Sequence, residues 1–308
     1  MILLVSEALD LYLARPNLAA NTRASYGHQI KHLILWVGDK DLDSLSQADL
    51  MRYIAFKQGQ GRTSRTLNVI TNIFKTLFRW LHKHGYMATN PALALDRLRE
   101  EPIPDNVRAI SLDEWVRLSV YARRTAPRDY AILAFLMDTA CRISAGSMLM
   151  RDKLDLANCR AVVYEPKIKR WVEVGFSRST AKALEEWLKL RPAVNNPYVF
   201  VSELKPHNVL DAGSIRMMMK KMCQKLGMPI RTPHSLRHAA LQHLAKQPDV
   251  TLLDVQTKAN HLSARTTLEN YFPQRSERVF ELSQKYSLVE TETAPEFPQL
   301  RVLPKPAR

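Results

Sequence analysis

Histidine and arginine side chains gather at the start of one predicted helix, in the stretch TPHSLRHAALQHL. His234 and His238 are four residues apart, and Arg237 follows His234 by three. Residues at these spacings lie on one face of an α-helix. Thr232 and Pro233 are typical of a helix start, where backbone N–H groups and the helix dipole favour a negative charge. The stretch therefore predicts a metal site, an ordinary polar helix start, or a clamp for an anion.

The metal alternative has the least support among these residues. A histidine pair four residues apart can chelate zinc, but a zinc-protease helix has glutamate directly after the first histidine, where this chain has Ser235. The three cysteines, Cys141, Cys159 and Cys223, are widely scattered. This pattern predicts neither a metal-binding pair nor a disulfide framework, and it suits a reducing cytosol. We therefore expect no metal and no cofactor.

The anion alternative agrees with the charge of the whole chain. Its 308 residues include 45 Lys and Arg against 30 Asp and Glu, a formal net charge of +15. Such a charge repels itself within a folded protein, so a polyanionic partner explains it best. The sequence has no run of 18 apolar residues and no signal-peptide pattern, so we expect a cytoplasmic, DNA-associated protein without a membrane partner.

Further groups that could contact the same anion lie in other segments. Arg142 interrupts the apolar stretch DTACRISAGSMLM. A buried arginine requires an anion, either a protein carboxylate or a ligand phosphate. The stretch KANHLSARTTLENYF carries His261 and Tyr271. These residues make the constellation more specific than the histidine–arginine motif alone.

The first hundred residues read as a string of amphipathic helices. We expect one helix to begin at Asn21, another to be capped by Ser46, and a long third helix to end near Gly85. The long helix carries an apolar stripe formed by Leu67, Ile70, Phe74, Leu77 and Leu81. Its bases are candidates for DNA backbone contact, with an ordinary solvated surface as the alternative: Arg65, Lys75, Arg79 and Lys83.

The rest of the chain predicts a second domain after a linker. The segment REEPIPDNVRAISLDEW, with two prolines and no helical period, predicts a linker over residues 101–109 and a helix capped by Ser111. The stretch from Arg128 to Met150 reads as one apolar helix. Residues 161–164 and 171–176 predict a β-hairpin around the basic turn EPKIKRW, and helices resume afterwards. We expect this domain to span residues 110–285, followed by a flexible tail over 286–308.

Arginine, H-x-x-R, histidine and tyrosine in this order resemble the tyrosine recombinase (phage integrase) family, in particular its two-domain Xer-like and Cre-like members. NTRASY, LNVITNIFKTLFRWLHKHGYMATNP and the linker extend the resemblance over nearly the whole chain. It implies a mainly α fold with a small β-sheet. A helical SAM-like core-binding domain would occupy residues 1–100, and a tyrosine-recombinase catalytic domain would follow the linker.

The resemblance also implies roles for individual side chains. Arg142 and Arg237 would hold the non-bridging oxygens of the scissile phosphate. His234 and His261 would hydrogen-bond that phosphate or assist proton transfer. Tyr271 would be the nucleophile.

Other residues would support this set. A lysine on the hairpin turn would be the general acid, with Lys167 as our choice and Lys169 as the alternative. Lys169 and Arg170 are also candidate DNA contacts. We expect His238 to support the helix start or the site rather than to touch phosphate.

The chemistry agrees with these residue types. A tyrosine hydroxyl has a pKa of about 10, so it needs help to act as a nucleophile at neutral pH. Two arginines that hold a phosphodiester stabilise the charge that builds on its oxygens, without a divalent metal or ATP. The resemblance implies a 3′-phosphotyrosyl intermediate and strand exchange through a Holliday junction. The partners would be double-stranded recombination sites, including those of mobile genetic elements, bound by a homotetramer alone or with a related recombinase or accessory factors.

Three departures from the family pattern keep two alternatives open. Ala145 stands where a carboxylate usually follows the first arginine by three residues, and Asn260 replaces a glycine. The spacing from His261 to Tyr271 is one residue longer than expected. The alternatives are a catalytically impaired DNA-binding or architectural protein of the same fold, and a relaxing enzyme similar to type IB topoisomerases.

Overall fold

Two units make up the chain, Met1–Pro102 and Ile103–Arg308, which we call the first unit and the second unit. The structure is a computed structural model. It describes residues 3–101, 109–202, 205, 208–260, 263, 267–268 and 271. The predicted site residue His261 and the predicted tail lie outside the described residues. Each unit has a hydrophobic core of its own.

The described part of the first unit is helical. Its elements are α1 (Val5–Leu13), α2 (Ala20–Val37), a short 3₁₀ helix (Leu42–Ser44), α3 (Gln47–Gly59) and α4 (Ser64–Lys83). Ser46 caps α3 as predicted, and it forms a capping box with Asp49, a device that stabilises a helix by about 1 kcal/mol. The prediction that Asn21 starts α2 is wrong. Asn21, the predicted N-cap, lies inside the helix, and the N-cap position is Ala19, two residues earlier, which forms no side-chain capping bond.

The apolar stripe of α4 is confirmed. All five of its predicted members are buried in the core of the first unit: Leu67, Ile70, Phe74, Leu77 and Leu81. Their spacing of three or four residues keeps them on one helix face. The helix ends at Lys83, and Gly85 follows with a positive φ of 74°. A left-handed residue of this kind stops a helix, and glycine adopts it without steric cost.

The second unit combines helices with a small sheet, which confirms the expected fold class. Its helices are α5 (Leu112–Thr125), α6 (Pro127–Thr139), α7 (Ile143–Ser147), α8 (Arg178–Leu190), α9 (Ala212–Lys225), α10 (Pro233–Ala245) and α11 (Leu252–Ala259), with a 3₁₀ turn at Arg151–Lys153. Ser111 caps α5 as predicted, through a capping box with Glu114.

Three antiparallel strands form the sheet, in the order β1 (Leu154–Asp155), β2 (Arg160–Glu165) and β3 (Arg170–Gly175). The register pairs Val163 with Val172 and Glu165 with Arg170. The predicted hairpin is therefore confirmed. Strand β1 was not predicted, because two residues are too short to show an alternating pattern.

The apolar stretch before the sheet is two helices, so the prediction of a single helix is wrong. Helix α6 ends at Thr139, and Ala140 adopts a left-handed conformation with φ 52° and ψ 17°. Arg142 is extended and precedes α7. The sequence does not reveal this break, because most of the segment is apolar and shows no helical period that could be interrupted.

Candidate active site

The start of α10 is fixed by contacts with the start of α5. The Arg231 guanidinium donates to the Glu114 carboxylate, with Nε–Oε1 and Nη2–Oε1 distances of 3.0 and 2.7 Å. The Ile110 backbone N–H donates to the Ser235 carbonyl at 3.2 Å. Thr232 takes the N-cap position without a side-chain capping bond. The histidine–arginine motif therefore begins on an anchored helix.

Arg237 links three segments around this motif. It is only 3% exposed, and its guanidinium donates to the carbonyl oxygens of Ala140 and Ala259. Ala140 is the left-handed residue after α6, and Ala259 is the last residue of α11. Burial lowers the pKa of Arg237, and the nearby charge of Arg142 lowers it further. The site thus holds a positive charge deep within the second unit.

Arg142 meets a protein carboxylate. Its Nη1 donates to Glu165 Oε2 at 3.0 Å, and its backbone N–H donates to Glu165 Oε1 at 3.2 Å. The Glu165 side chain is 0% exposed, whereas that of Arg142 is 23% exposed. Of the two kinds of anion that the sequence allowed for Arg142, the structure contains the carboxylate.

His234 and His238 lie one turn apart on α10, and their rings are in contact. Their rings meet edge to face with centroids 4.4 Å apart. His234 retains an exposed edge, yet its pKa is lowered, first by partial burial of the ring and then by the charges of Arg237, Arg142 and Lys167. A lowered pKa keeps this imidazole neutral at pH 7, so it can either donate or accept a hydrogen bond.

Tyr271 lies against the same helix. Its ring is buried in a small apolar cluster with Ala140, Leu241, Val255 and Ala259. Its hydroxyl is 3.3 Å from His238 Nδ1. Arg237 and Tyr271 therefore both contact the segments that end at Ala140 and Ala259. Sequence reasoning gave His238 a supporting role, and the structure shows it in contact with the hydroxyl that the family resemblance assigns as nucleophile.

The two hairpin lysines are exposed on the turn between β2 and β3. The charge of Lys167 contributes to the lowered pKa of His234, so Lys167 lies near the same pocket. Lys169 has a positive φ of 52°. Arg170 is exposed at the start of β3.

The basic candidates of the first unit differ in their surroundings. Arg65 forms an ion pair with Glu100, with an Nε–Oε2 distance of 3.0 Å. Lys75 is half-buried, while Arg79 and Lys83 are exposed along α4. Arg79 and Lys83 are thus accessible to a partner.

Glu165 was missed by the sequence analysis, although a signal was present. Side chains along a strand alternate between its two faces. Ala161 and Val163 are buried, and Glu165 continues their face as a buried acid in the pattern RAVVYE. An acid in the core-facing register of a hairpin is expected to have a cationic partner.

The residues that the structure describes contain neither a membrane-spanning helix nor a metal-binding cluster. No helix in those ranges is long and apolar enough to cross a lipid bilayer. Within the same part of the chain, no group of three or more His, Cys, Asp or Glu side chains could hold a metal ion.

Comparison with known protein families agrees with this geometry. Residues 108–278 match the phage integrase family, and residues 6–87 match the phage integrase N-terminal SAM-like domain. The chain belongs to the phage integrase family of tyrosine recombinases. The tyrosine recombinase XerC of Pseudomonas fluorescens is 30% identical over 279 residues, covering 85% of this chain and 90% of the relative. The tyrosine recombinase XerA of Thermococcus kodakarensis is 23% identical over 287 residues, covering 93% and 96%.

Solved structures of integrases share the fold. The Tn1549 transposon integrase in complex with transposon right end DNA superposes with a TM-score of 0.79 at 17% identity, over 92% of this chain and 99% of that one. A lambda integrase tetramer bound to a Holliday junction gives a TM-score of 0.72 at 14% identity, over 89% and 80%. At these identities the likeness establishes the integrase fold.

Proposed function

We propose that this chain is a site-specific DNA recombinase that cuts and rejoins strands through a phosphodiester bond to Tyr271. The contact between the Tyr271 hydroxyl and α10 carries the proposal. The same helix bears His234 and Arg237. The Arg237 guanidinium donates a hydrogen bond to the carbonyl of Ala140, two residues before Arg142. Phenol, imidazole and guanidinium groups from distant segments thus converge on one pocket.

The proposed reaction follows from these groups. The Tyr271 hydroxyl gives its proton to the neighbouring imidazole of His238, its oxygen attacks the scissile phosphorus, and the bond from phosphorus to the 5′-oxygen breaks. Arg142 and Arg237 stabilise the charge on the non-bridging oxygens. The leaving 5′-oxygen takes a proton from Lys167, with Lys169 as the alternative donor. The product is a 3′-phosphotyrosyl bond, which a 5′-hydroxyl from another strand can attack to reseal the DNA.

His234 and His261 would complete the pocket. A neutral His234 can donate a hydrogen bond to a phosphate oxygen, and its location in the first turn of α10 favours an anion there. His261 would act beside it, in a segment outside the described residues.

We further propose that four protomers act on two double-stranded sites through a Holliday junction. The fold shared with the lambda integrase tetramer on such a junction supports this assembly. Residues 1–100 would be the core-binding domain, 101–109 the linker, 110–285 the catalytic domain and 286–308 a tail. DNA contacts would come from both domains: Arg65, Lys75, Arg79, Lys83, Lys169 and Arg170.

A covalent trap tests this function. A duplex that binds the full chain is selected from a randomised library. A nick is then placed beside each candidate phosphate, so that cleavage there releases a short fragment that diffuses away and cannot be rejoined. Wild type should then accumulate a protein–DNA adduct that resists denaturation. Tyr271→Phe should bind the same duplex without forming the adduct, while the control Tyr130→Phe should react normally.

The outcomes separate the alternatives. Specific binding without any wild-type adduct favours an architectural protein, and an adduct that persists in Tyr271→Phe contradicts the proposed nucleophile. An adduct accompanied by relaxation of supercoils, with no recombinant product from paired sites, favours the topoisomerase-like enzyme.

A further inference from the structure

Glu165 occupies a position where a carboxylate is costly. It ends β2, faces the core beside Val163, and its side chain is 0% exposed. Transfer of a carboxylate from water into such surroundings costs several kcal/mol unless a cation and hydrogen bonds compensate it. An apolar residue would fill the same position without this penalty. The compensation comes from Arg142 alone among the described ion pairs of Glu165.

The two oxygens of Glu165 hold Arg142 in two ways. One accepts the Arg142 backbone N–H, which fixes the extended residue between α6 and α7. The other accepts from Nη1, which fixes the direction of the guanidinium. A guanidinium has five N–H donors, and the side chain remains partly exposed. Donors that do not face Glu165 are therefore available for an anionic ligand.

Glu165 also influences the second arginine. The charge of Arg142 lowers the pKa of Arg237, and the charge of Glu165 acts in the opposite direction. Two guanidinium groups repel each other when no phosphate lies between them. A buried carboxylate reduces that repulsion, so both arginines can stay close before DNA binds. Ala145, where the sequence analysis expected a carboxylate, is a buried methyl group that cannot do this.

We propose that Glu165 is the positioning residue of the active site, and that it holds Arg142 in place for the scissile phosphate. The inference rests on the proposed function, because it assigns Arg142 to that phosphate. Glu165 does not touch the DNA. It acts through Arg142, by orienting it and by compensating its charge before the substrate arrives.

Glu165→Gln in the full chain tests this role, since glutamine keeps the size and one acceptor but removes the charge. The rate of adduct formation on the nicked duplex should fall about 10- to 100-fold, the loss typical of residues that orient the ligands of a metal site. The Kd for the same duplex should stay within about twofold, because the DNA contacts of Lys and Arg side chains are retained. The matched control is Glu173→Gln, an exposed carboxylate paired with Arg160 on the same hairpin, which should leave the rate unchanged.

A double-mutant cycle separates positioning from general stability. In an Arg142→Lys background, which already lacks the oriented guanidinium, Glu165→Gln should lower the rate by less than about twofold. A full, multiplicative loss in that background would show that Glu165 does not act through Arg142. An unchanged rate in Glu165→Gln alone would overturn the proposal as well.

A second variant keeps the proposal testable if Glu165→Gln does not fold stably. If Glu165→Gln lowers the melting temperature too far, Glu165→Asp keeps the charge but withdraws it by one methylene. Its adduct rate should then fall while its melting temperature stays near that of wild type, and an unaltered rate would contradict the inference. Absence of an adduct in wild type itself would instead refute the proposed function, so the two failures are distinguishable.

Discussion

The two units differ in the charge of the polar side chains that they bury. In the described part of the first unit, the buried polar residues are Asn68 and Thr71, which carry no charge. Among the described residues of the second unit, four charged side chains are buried: Glu114, Asp129, Glu165 and Arg237. Burial of charge lowers stability unless each group is paired. Glu114, Asp129 and Glu165 each pair with an arginine, and Arg237 donates to two backbone carbonyls. The second unit thus holds its buried charges in fixed positions.

Left-handed backbone positions show the same contrast. Where the first unit is described, these positions are occupied by Gly38, Gly61 and Gly85. The described second unit has Gly227 but also four residues with side chains: Ala140, Cys159, Lys169 and Asn260. A left-handed residue other than glycine costs about 1–2 kcal/mol. Because the Ala140 carbonyl accepts a hydrogen bond from the Arg237 guanidinium, part of this strain lies at the candidate active site.

The largest effect on the reaction should come from Arg237→Ala. Removal of its donors should lower the adduct rate by at least about 10²- to 10³-fold. Two buried carbonyls would lose their partner, so the free energy of unfolding should fall by about 2–4 kcal/mol. Single-turnover cleavage and urea unfolding measure the two effects. Arg216→Ala, an exposed arginine on α9, is the control, and a variant of Arg237 with wild-type stability would contradict the comparison.

Glu114→Gln should destabilise the second unit strongly, because it weakens the contact that fixes the start of α10. It leaves the guanidinium of Arg231 buried with reduced compensation, which typically costs about 3–5 kcal/mol. Glu185→Gln breaks an exposed pair with Lys189 and should change the free energy of unfolding very little, because solvent screens that pair. Chemical denaturation compares the variants, and equal losses would show that burial of the pair is irrelevant.

Glycine exchanges should act in opposite directions in the two units. Asn260→Gly removes a side chain from a residue with φ 49° and should raise the free energy of unfolding by up to about 1 kcal/mol. Gly85→Ala should lower it by about 1 kcal/mol, since no atom crowds the added methyl and the cost is the backbone conformation alone. Thermal unfolding of both variants tests the contrast, which fails if both shifts have the same sign.

The smallest effect concerns the charge of His234. In the DNA-free chain its pKa should lie below the ordinary value of 6.5, and Lys167→Gln should raise it by removing a nearby positive charge. The unfolded chain then binds this proton more readily than the folded chain. The contribution of His234 to stability is therefore present above pH 6.5 and is lost as the pH falls below it. NMR titration of the imidazole measures the pKa, and a value above 6.5 would contradict the pocket described here.

Much of the fold follows from local sequence rules. The stripe of α4 and the caps Ser46 and Ser111 depend on residues within one or two turns of each other, so the sequence alone predicts them. The N-cap prediction at Asn21 is wrong because a good capping residue can also lie inside a helix. The N-cap of α2 is Ala19.

The sequence predicts candidate residues of the site, but not the contacts that these residues make. The order of Arg142, Arg237 and Tyr271 identified candidates for one pocket. The partners of these residues come from remote segments: Glu165 is 23 positions from Arg142, and Ala140 is 97 from Arg237. Such pairs depend on the break after α6 and on the hairpin register, which no local pattern encodes.

The account depends most on Tyr271 as the group that attacks DNA beside the buried charges of the second unit. Mass spectrometry of the peptide that remains linked to the nicked duplex tests this directly. We expect the wild-type adduct to yield one peptide, with a nucleotide phosphate on Tyr271. A phosphate bonded to any other residue would contradict the account, as would specific DNA binding that never leads to a linked peptide.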